Sequence, residues 1–250
     1  MNSSQLERVR VVLVDTSHPG NIGAVARAMW TMGLTHLALV RPKRFPSAEA
    51  TARAAGADAL LYEAAIFDSL PEALADCTWV VGTTVRSRHL ELPRLAPRAF
   101  AAQAVREARS GPVALVFGRE QTGLSNEELD QCQAIATVAS NPRFGSLNLA
   151  AAVQIFAYEL RLACTDAAER AEDGSSSEDR GAITSEELEG LYGHLEQTLE
   201  DIGYHDPDRP KLLMRRLRRL FGRARPDRAE LNILRGILAA TQRAAGKSRG

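Results

Sequence analysis

Between residue 9 and about residue 163, short runs rich in β-branched residues alternate with stretches of helical periodicity. That alternation predicts an α/β domain on a largely parallel sheet. The predicted strands are residues 9–14, 37–40, 78–82, 113–117 and 134–138; the predicted helices are 21–32, 48–55, 71–76, 97–109, 126–131 and 147–162. Ser125 and Glu128 have the spacing of a capping box at the start of 126–131, and Leu149, Val153, Phe156 and Leu160 form one apolar stripe along the last helix.

The pattern changes after Cys164. Residues 166–179 are small and acidic, with Gly174-Ser175-Ser176-Ser177 among them, and have no means of building a core. The chain therefore divides into a domain at 1–164, a flexible linker at 165–183 and a helical extension at 184–250. In the extension Thr184 and Glu187 again have capping-box spacing, ahead of a stripe of Leu188, Leu191, Leu195 and Leu199. Next, Lys211, Arg215, Arg216, Arg218, Arg219, Arg223, Arg225 and Arg228 interleave with Leu213, Leu217, Leu220 and Phe221, predicting an amphipathic helix with a basic face. A mostly apolar helix is expected at 229–241. The basic face has three readings: contact with nucleic acid, contact with a membrane surface or partner, or a solvated bundle face. Solvated faces usually mix signs, and 211–225 contains no acid, which favours a polyanion.

The formal net charge of zero conceals this local excess. With 250 residues and 45% hydrophobic composition, the chain can bury a sizeable core. Its opening residues lack the apolar region of a signal peptide and no apolar run is long enough to span a bilayer, so a cytoplasmic location without membrane contact is expected. Cys77, Cys132 and Cys164 are odd in number and widely spaced, which reads as three small core residues. The five histidines do not cluster at ligand spacing, so no metal is expected.

Chemistry is expected in the loops at the C-terminal ends of the strands, where parallel sheets bind ligands. Arg27 is the one charged residue of 21–32, and side chains on a helix lean toward its N-terminus. It reads either as snorkelling to solvent or as a positive fork reaching back toward Gly20, beside helix N–H groups that would seat a phosphate. Gly118-Arg119-Glu120-Gln121-Thr122-Gly123-Leu124 has P-loop glycine spacing, but Leu124-Ser125 replaces Lys-Ser/Thr, which argues against nucleotide hydrolysis. This loop, and Ala139 to Asn148 with Ser146 as N-cap, also read as simple turns. Gly82 to Arg88 offers hydroxyls and backbone at a further strand end.

Taken in order, Asn21 with Arg27, Phe117-Gly118-Arg119-Glu120-x-x-Gly123-Leu124 and Ser146-Leu147-Asn148 resemble the three motifs of the SPOUT superfamily of RNA methyltransferases. Leu13 to His18, Tyr192 to Leu199 and Glu230 to Leu238 resemble the bacterial tRNA ribose 2'-O-methyltransferases within it, so the likeness covers nearly the whole chain. The resemblance implies an α/β domain whose parallel sheet ends in a C-terminal trefoil knot, a small helical extension, and a homodimer. It implies S-adenosylmethionine in the knot, against Thr83, Thr84, Val85, Gly118, Val138, Gly145, Ser146 and Leu147. Arg27 would be catalytic, Asn21 would order its loop, and Ser146 and Asn148 would lie near the reacting atoms; Glu120 is given no role. The implied substrate is a ribose of the pyrimidine that opens the anticodon loop of tRNA, held by Arg27 with Lys211, Arg215, Arg216, Arg218, Arg219 and Arg223. Phe144 stands where a tyrosine can occur. A ribosomal RNA ribose methyltransferase and a non-catalytic RNA-binding adaptor remain as rivals.

Overall fold

The computed structural model describes residues 3–85, 92–141, 143–170 and 181–248. Arg86, Ser87, Arg88, Pro142 and most of the expected linker lie outside them. Seven strands form one parallel sheet: β1 (Val9–Val14), β2 (His36–Val40), β3 (Ala65–Phe67), β4 (Trp79–Thr83), β5 (Arg94–Leu95), β6 (Val113–Phe117) and β7 (Ala134–Ala136), in the order β3-β2-β1-β6-β4-β7-β5. The helices of the domain are α1 (Pro19–Met32), α2 (Ala48–Ala54), α3 (Asp58–Tyr62), α4 (Leu70–Leu74), α5 (Pro97–Glu107), α6 (Asn126–Leu129) and α7 (Leu149–Arg170).

Both faces of the sheet are covered, which is why its central strands read as unbroken apolar runs. Val9, Val11 and Leu13 point to the layer that holds Ile22, Val25 and Met29 of α1, Phe100 of α5 and Phe156 and Leu160 of α7. Val12 and Val14 point to the opposite layer, with Leu70 and Leu74 of α4 and Leu129 of α6. Trp79, Phe100, Phe156 and Phe117 form a chain of ring contacts at 5.6–5.9 Å that ends one residue before Gly118. Cys77, Cys132 and Cys164 are free and buried, as the sequence predicts, and burial pushes the Cys77 thiol up to about 12.

Several boundaries differ from expectation. Helix α7 does not stop at 162 but runs to Arg170, into the segment assigned to the linker, because Ala163, Cys164 and Ala167 still pack against the core and its Ala, Glu and Arg residues favour helix. Its first turn is capped by Asn148, whose Oδ1 accepts from the N–H groups of Ala150 (2.9 Å) and Ala151 (3.3 Å), and not by Ser146. The last predicted strand shortens to Ala134–Ala136, and β3, β5 and α3 were not anticipated.

In the extension α8 (Ser185–Asp201), α9 (Leu213–Ala224) and α10 (Arg228–Ser248) pack around Leu188, Leu191, Tyr192 and Leu231. Both expected capping boxes form, at Ser125/Glu128 and Thr184/Glu187. The start of α8 docks on the domain through Ser185 N–H to Cys77 O (2.8 Å) and Glu186 N–H to Ala75 O (3.1 Å).

Candidate active site

In a parallel sheet every strand presents its C-terminal end at the same edge, so the neighbouring strands β1, β6, β4 and β7 deliver four loops to one place. There a cavity is walled by Thr83, Thr84 and Val85 after β4, residues 117–123 after β6, Ala136 and Val138 after β7, and Ser146, Leu147, Leu149, Ala152 and Phe156. Seven of the eight residues expected at the cofactor line it; Gly145 does not, its carbonyl instead accepting from Ser140 Oγ at 2.8 Å. The Thr83 hydroxyl donates to Val116 O (2.9 Å), so its proton is committed to the wall and only its acceptor lone pairs are left for a ligand.

The turn after β6 is closed by its glycines. Gly123 has a left-handed φ of 69°, and its N–H donates to Arg119 O at 2.9 Å. A Cβ on Gly118 would come within 2.2 Å of the Gly123 carbonyl carbon, so the backbone there lies against backbone and any larger residue is excluded. The Arg119 guanidinium is held by carboxylates of the domain. It binds Glu128 through two hydrogen bonds of 3.0 Å and also binds Asp15, and Asp15 takes two further bonds from Arg41, at 3.2 and 3.0 Å. The hydrogen bonds from Arg41, with the nearby charges of Arg119 and Lys43, hold Asp15 below its ordinary carboxylate range.

Glu120 turns the other way, toward α1. Its carboxylate accepts from Ser17 Oγ (3.0 Å), the Ser17 N–H (3.2 Å), the His18 N–H (3.3 Å) and Asn21 Nδ2 (3.0 Å). Burial works to raise its pKa, but the bonds from Asn21, the backbone, Ser17 and His18 outweigh it and the pKa is lowered. The Gly20 N–H is taken by His18 Nδ1 at 3.2 Å. This corrects one expectation: the N–H groups ahead of α1 do not wait for a phosphate, since the protein's own carboxylate fills that seat.

Asn21 and Asn148 are brought together, Asn148 Nδ2 donating to Asn21 Oδ1 at 3.1 Å, and Ser146 lines the cavity. Arg27 is not with them. It is exposed on α1, outside the cavity lining, and among the described residues its side chain makes no hydrogen bond or ion pair. Phe144 is 82% exposed.

The basic face of α9 is partly spent within the chain. Arg215 makes a two-bond ion pair with Asp130 (2.7 and 3.0 Å), Arg218 binds Glu189 while lying 4.4 Å from the centre of the Tyr192 ring, Arg225 pairs with Glu107 and Arg228 with Glu187. Lys211, Arg216 and Arg223 are exposed and Arg219 half-buried, and none of the four side chains has a hydrogen bond or ion pair among the described residues. Sequence spacing could not reveal this division, because the acids involved come from distant elements.

A family model described as the SpoU rRNA Methylase family matches residues 8–158, and one described as the tRNA methyltransferase TrmJ, C-terminal domain, matches residues 186–250. The chain is 50% identical over 246 residues to a tRNA (cytidine/uridine/adenosine-2'-O-)-methyltransferase TrmJ of Pseudomonas aeruginosa, covering 96% of each chain. It is 52% identical over 237 residues to the tRNA (cytidine/uridine-2'-O-)-methyltransferase TrmJ of Salmonella typhimurium, covering 95% of this chain and 97% of that one. Among solved structures it resembles TrmJ from Z. mobilis, with a TM-score of 0.79 and 37% identity over 92% of this chain and 97% of the other. A fold that gathers Asn21, the 118–124 turn, Ser146 and Asn148 at one sheet edge, a match across the domain and a second match across the extension agree: the chain belongs to the SpoU methylase family.

Proposed function

We propose that this protein transfers the methyl group of S-adenosylmethionine to a ribose 2'-hydroxyl in the anticodon loop of tRNA, working in the cytoplasm as a homodimer. The observation that carries this reading is the convergence of Thr84, Gly118, Ser146, Asn21 and Asn148 at one edge of the sheet, with the domain of tRNA-modifying relatives attached. The cavity suits the cofactor. Its walls are apolar at Phe117, Val138, Leu147 and Leu149, its glycine turn exposes backbone, and Glu120 supplies negative charge at the rim that a cationic sulfonium tolerates. Bound there, the cofactor supplies the methyl group and its own leaving group, a displacement that requires alignment and loss of the hydroxyl proton.

Arg27 is a poor base, since a guanidinium remains protonated at all ordinary pH. It acts by gripping the phosphate beside the target ribose and stabilising the charge that develops on the attacking 2'-oxygen as its proton leaves and the sulfonium gives up its methyl group. That Arg27 lies outside the cavity of its own chain supports a site shared between subunits, as does the apolar surface of the helices around it: Trp30 of α1 and Tyr158 and Leu162 of α7 are exposed. The dimer so formed, and the C-terminal trefoil knot of the 1–164 domain, belong to the same proposal.

The free cations Lys211, Arg216, Arg219 and Arg223 hold the RNA backbone, whereas Arg215 and Arg218 hold the extension in place. The two relatives named above differ over adenosine, so a pyrimidine target is part of the proposal. A ribosomal RNA target is the second reading, favoured by the description of the family matched at residues 8–158. Labelled methyl from the cofactor should enter tRNA and not a ribosomal RNA fragment; the reverse would select the second reading, and incorporation into neither would leave the adaptor.

A further inference from the structure

The Gly118-Arg119-Glu120 turn sends its two charges in opposite directions. Arg119 fastens the turn to Asp15 and Glu128 within the domain, and Glu120 reaches across to the entrance of α1. Among the described residues no basic side chain meets the Glu120 carboxylate; its donors are Ser17, His18 and Asn21. A carboxylate accepts hydrogen bonds only, so it fixes which way the Asn21 amide lies. Nδ2 must face Glu120 and Oδ1 must face out, where it accepts from Asn148 Nδ2 at 3.1 Å. Asn148 in turn must present Oδ1 to the first N–H groups of α7. One unbroken chain of bonds therefore runs from the cavity wall, which Glu120 helps to form, through the first turn of α1 to the first turn of α7.

The geometry points to Glu120 as a positioning residue for methyl transfer: it sets the orientation of Asn21 and Asn148 and ties the helix that bears Arg27 to the cavity wall. This rests on the methyl-transfer reading given above. A glutamine of the same shape would present one oxygen and turn an NH2 group toward donors that already point at it, so the chain of bonds would be broken while the volume is kept.

The test is Glu120→Gln in the full-length protein, with cofactor affinity read by calorimetry and the methyl-transfer rate read in single turnovers on a tRNA transcript. The rate should fall by about 10–100-fold, as expected for misplaced reacting groups. Cofactor affinity should fall by at least about tenfold less than the rate, because the walls of the cavity remain. Adding Asn21→Ala to Glu120→Gln should slow the reaction by less than about twofold further, since residues acting as one unit are not additive. Equal losses of affinity and rate, additive losses in the double variant, or a wild-type rate in Glu120→Gln would overturn the inference. Should Glu120→Gln not fold by circular dichroism, Ser17→Ala takes its place: it removes one donor to the same carboxylate and should slow transfer by about 2–5-fold with cofactor affinity unchanged; an unchanged rate overturns the inference. A wild-type protein that methylates no tRNA overturns the functional reading itself, whereas an active wild type with an unaffected Glu120→Gln overturns only this assignment.

Discussion

Arg27 gains its importance from what it lacks. The guanidinium groups of Arg119 and Arg41 beside the 117–123 turn are fixed by carboxylates, and Arg27, on a helix whose other faces are buried, is left to solvent. Replacing it with lysine keeps the charge and removes the two-pronged contact with phosphate. Single-turnover rates for Arg27→Lys should fall by about 100-fold or more, the scale of one lost transition-state contact; a rate near wild type contradicts the phosphate-grip role. Gly118→Ala should abolish cofactor binding by calorimetry, because its methyl group would sit within 2.2–2.3 Å of backbone atoms of Gly123 and Leu124, which no side-chain movement relieves. At this scale the sequence is informative about which residues matter and poor on partners. Asn21, Ser146 and Asn148 stand out in the motif pattern, but the bond from Glu120 to Ser17 spans 103 positions, and no local spacing encodes it.

Elements were more legible than contacts. β1 and β6 fall where the apolar runs place them, because a strand buried on both faces writes a continuous signal. β3 and β5 have three and two residues, pair on one side only, and owe their form to the neighbouring strand more than to their own composition. The short helix α6 is where a local signal and a distant one meet. Its capping box was readable as Ser125 and Glu128, yet the same Glu128 carboxylate is the anchor for Arg119. Glu128→Gln should therefore weaken both at once, lowering stability by about 1–3 kcal/mol in urea unfolding, given that Arg119 is partly exposed. An effect no larger than that of Glu127→Gln, on the same helix, would show that the network adds nothing. Asp15 gives the network a pH dependence. Its folded pKa is depressed, so its contribution is present above the ordinary carboxylate range and disappears as pH falls through the depressed value.

Across the whole molecule, the extension is not a loose appendage. Backbone bonds from Ser185 and Glu186 and the ion pairs Arg215–Asp130 and Arg225–Glu107 seat it on the domain, using arginines of the stretch whose lack of acids favours a polyanion. Arg216→Ala and Arg223→Ala should each reduce the salt dependence of tRNA affinity by about one unit of slope, the signature of one lost phosphate contact. Arg215→Ala should act mainly on thermal stability instead. If all three change the slope equally, the division between seating and RNA-binding arginines is wrong. The helix running to Arg170 also moves the sensible place to end a domain fragment beyond Cys164. All of these roles presuppose ribose methylation of tRNA by this chain. Mass-spectrometric mapping of tRNA incubated with the protein and S-adenosylmethionine tests it most directly. One methyl group should be added on a 2'-oxygen in the anticodon loop and be absent with Arg27→Ala; a methyl group on a base, or none, would rule out ribose methylation.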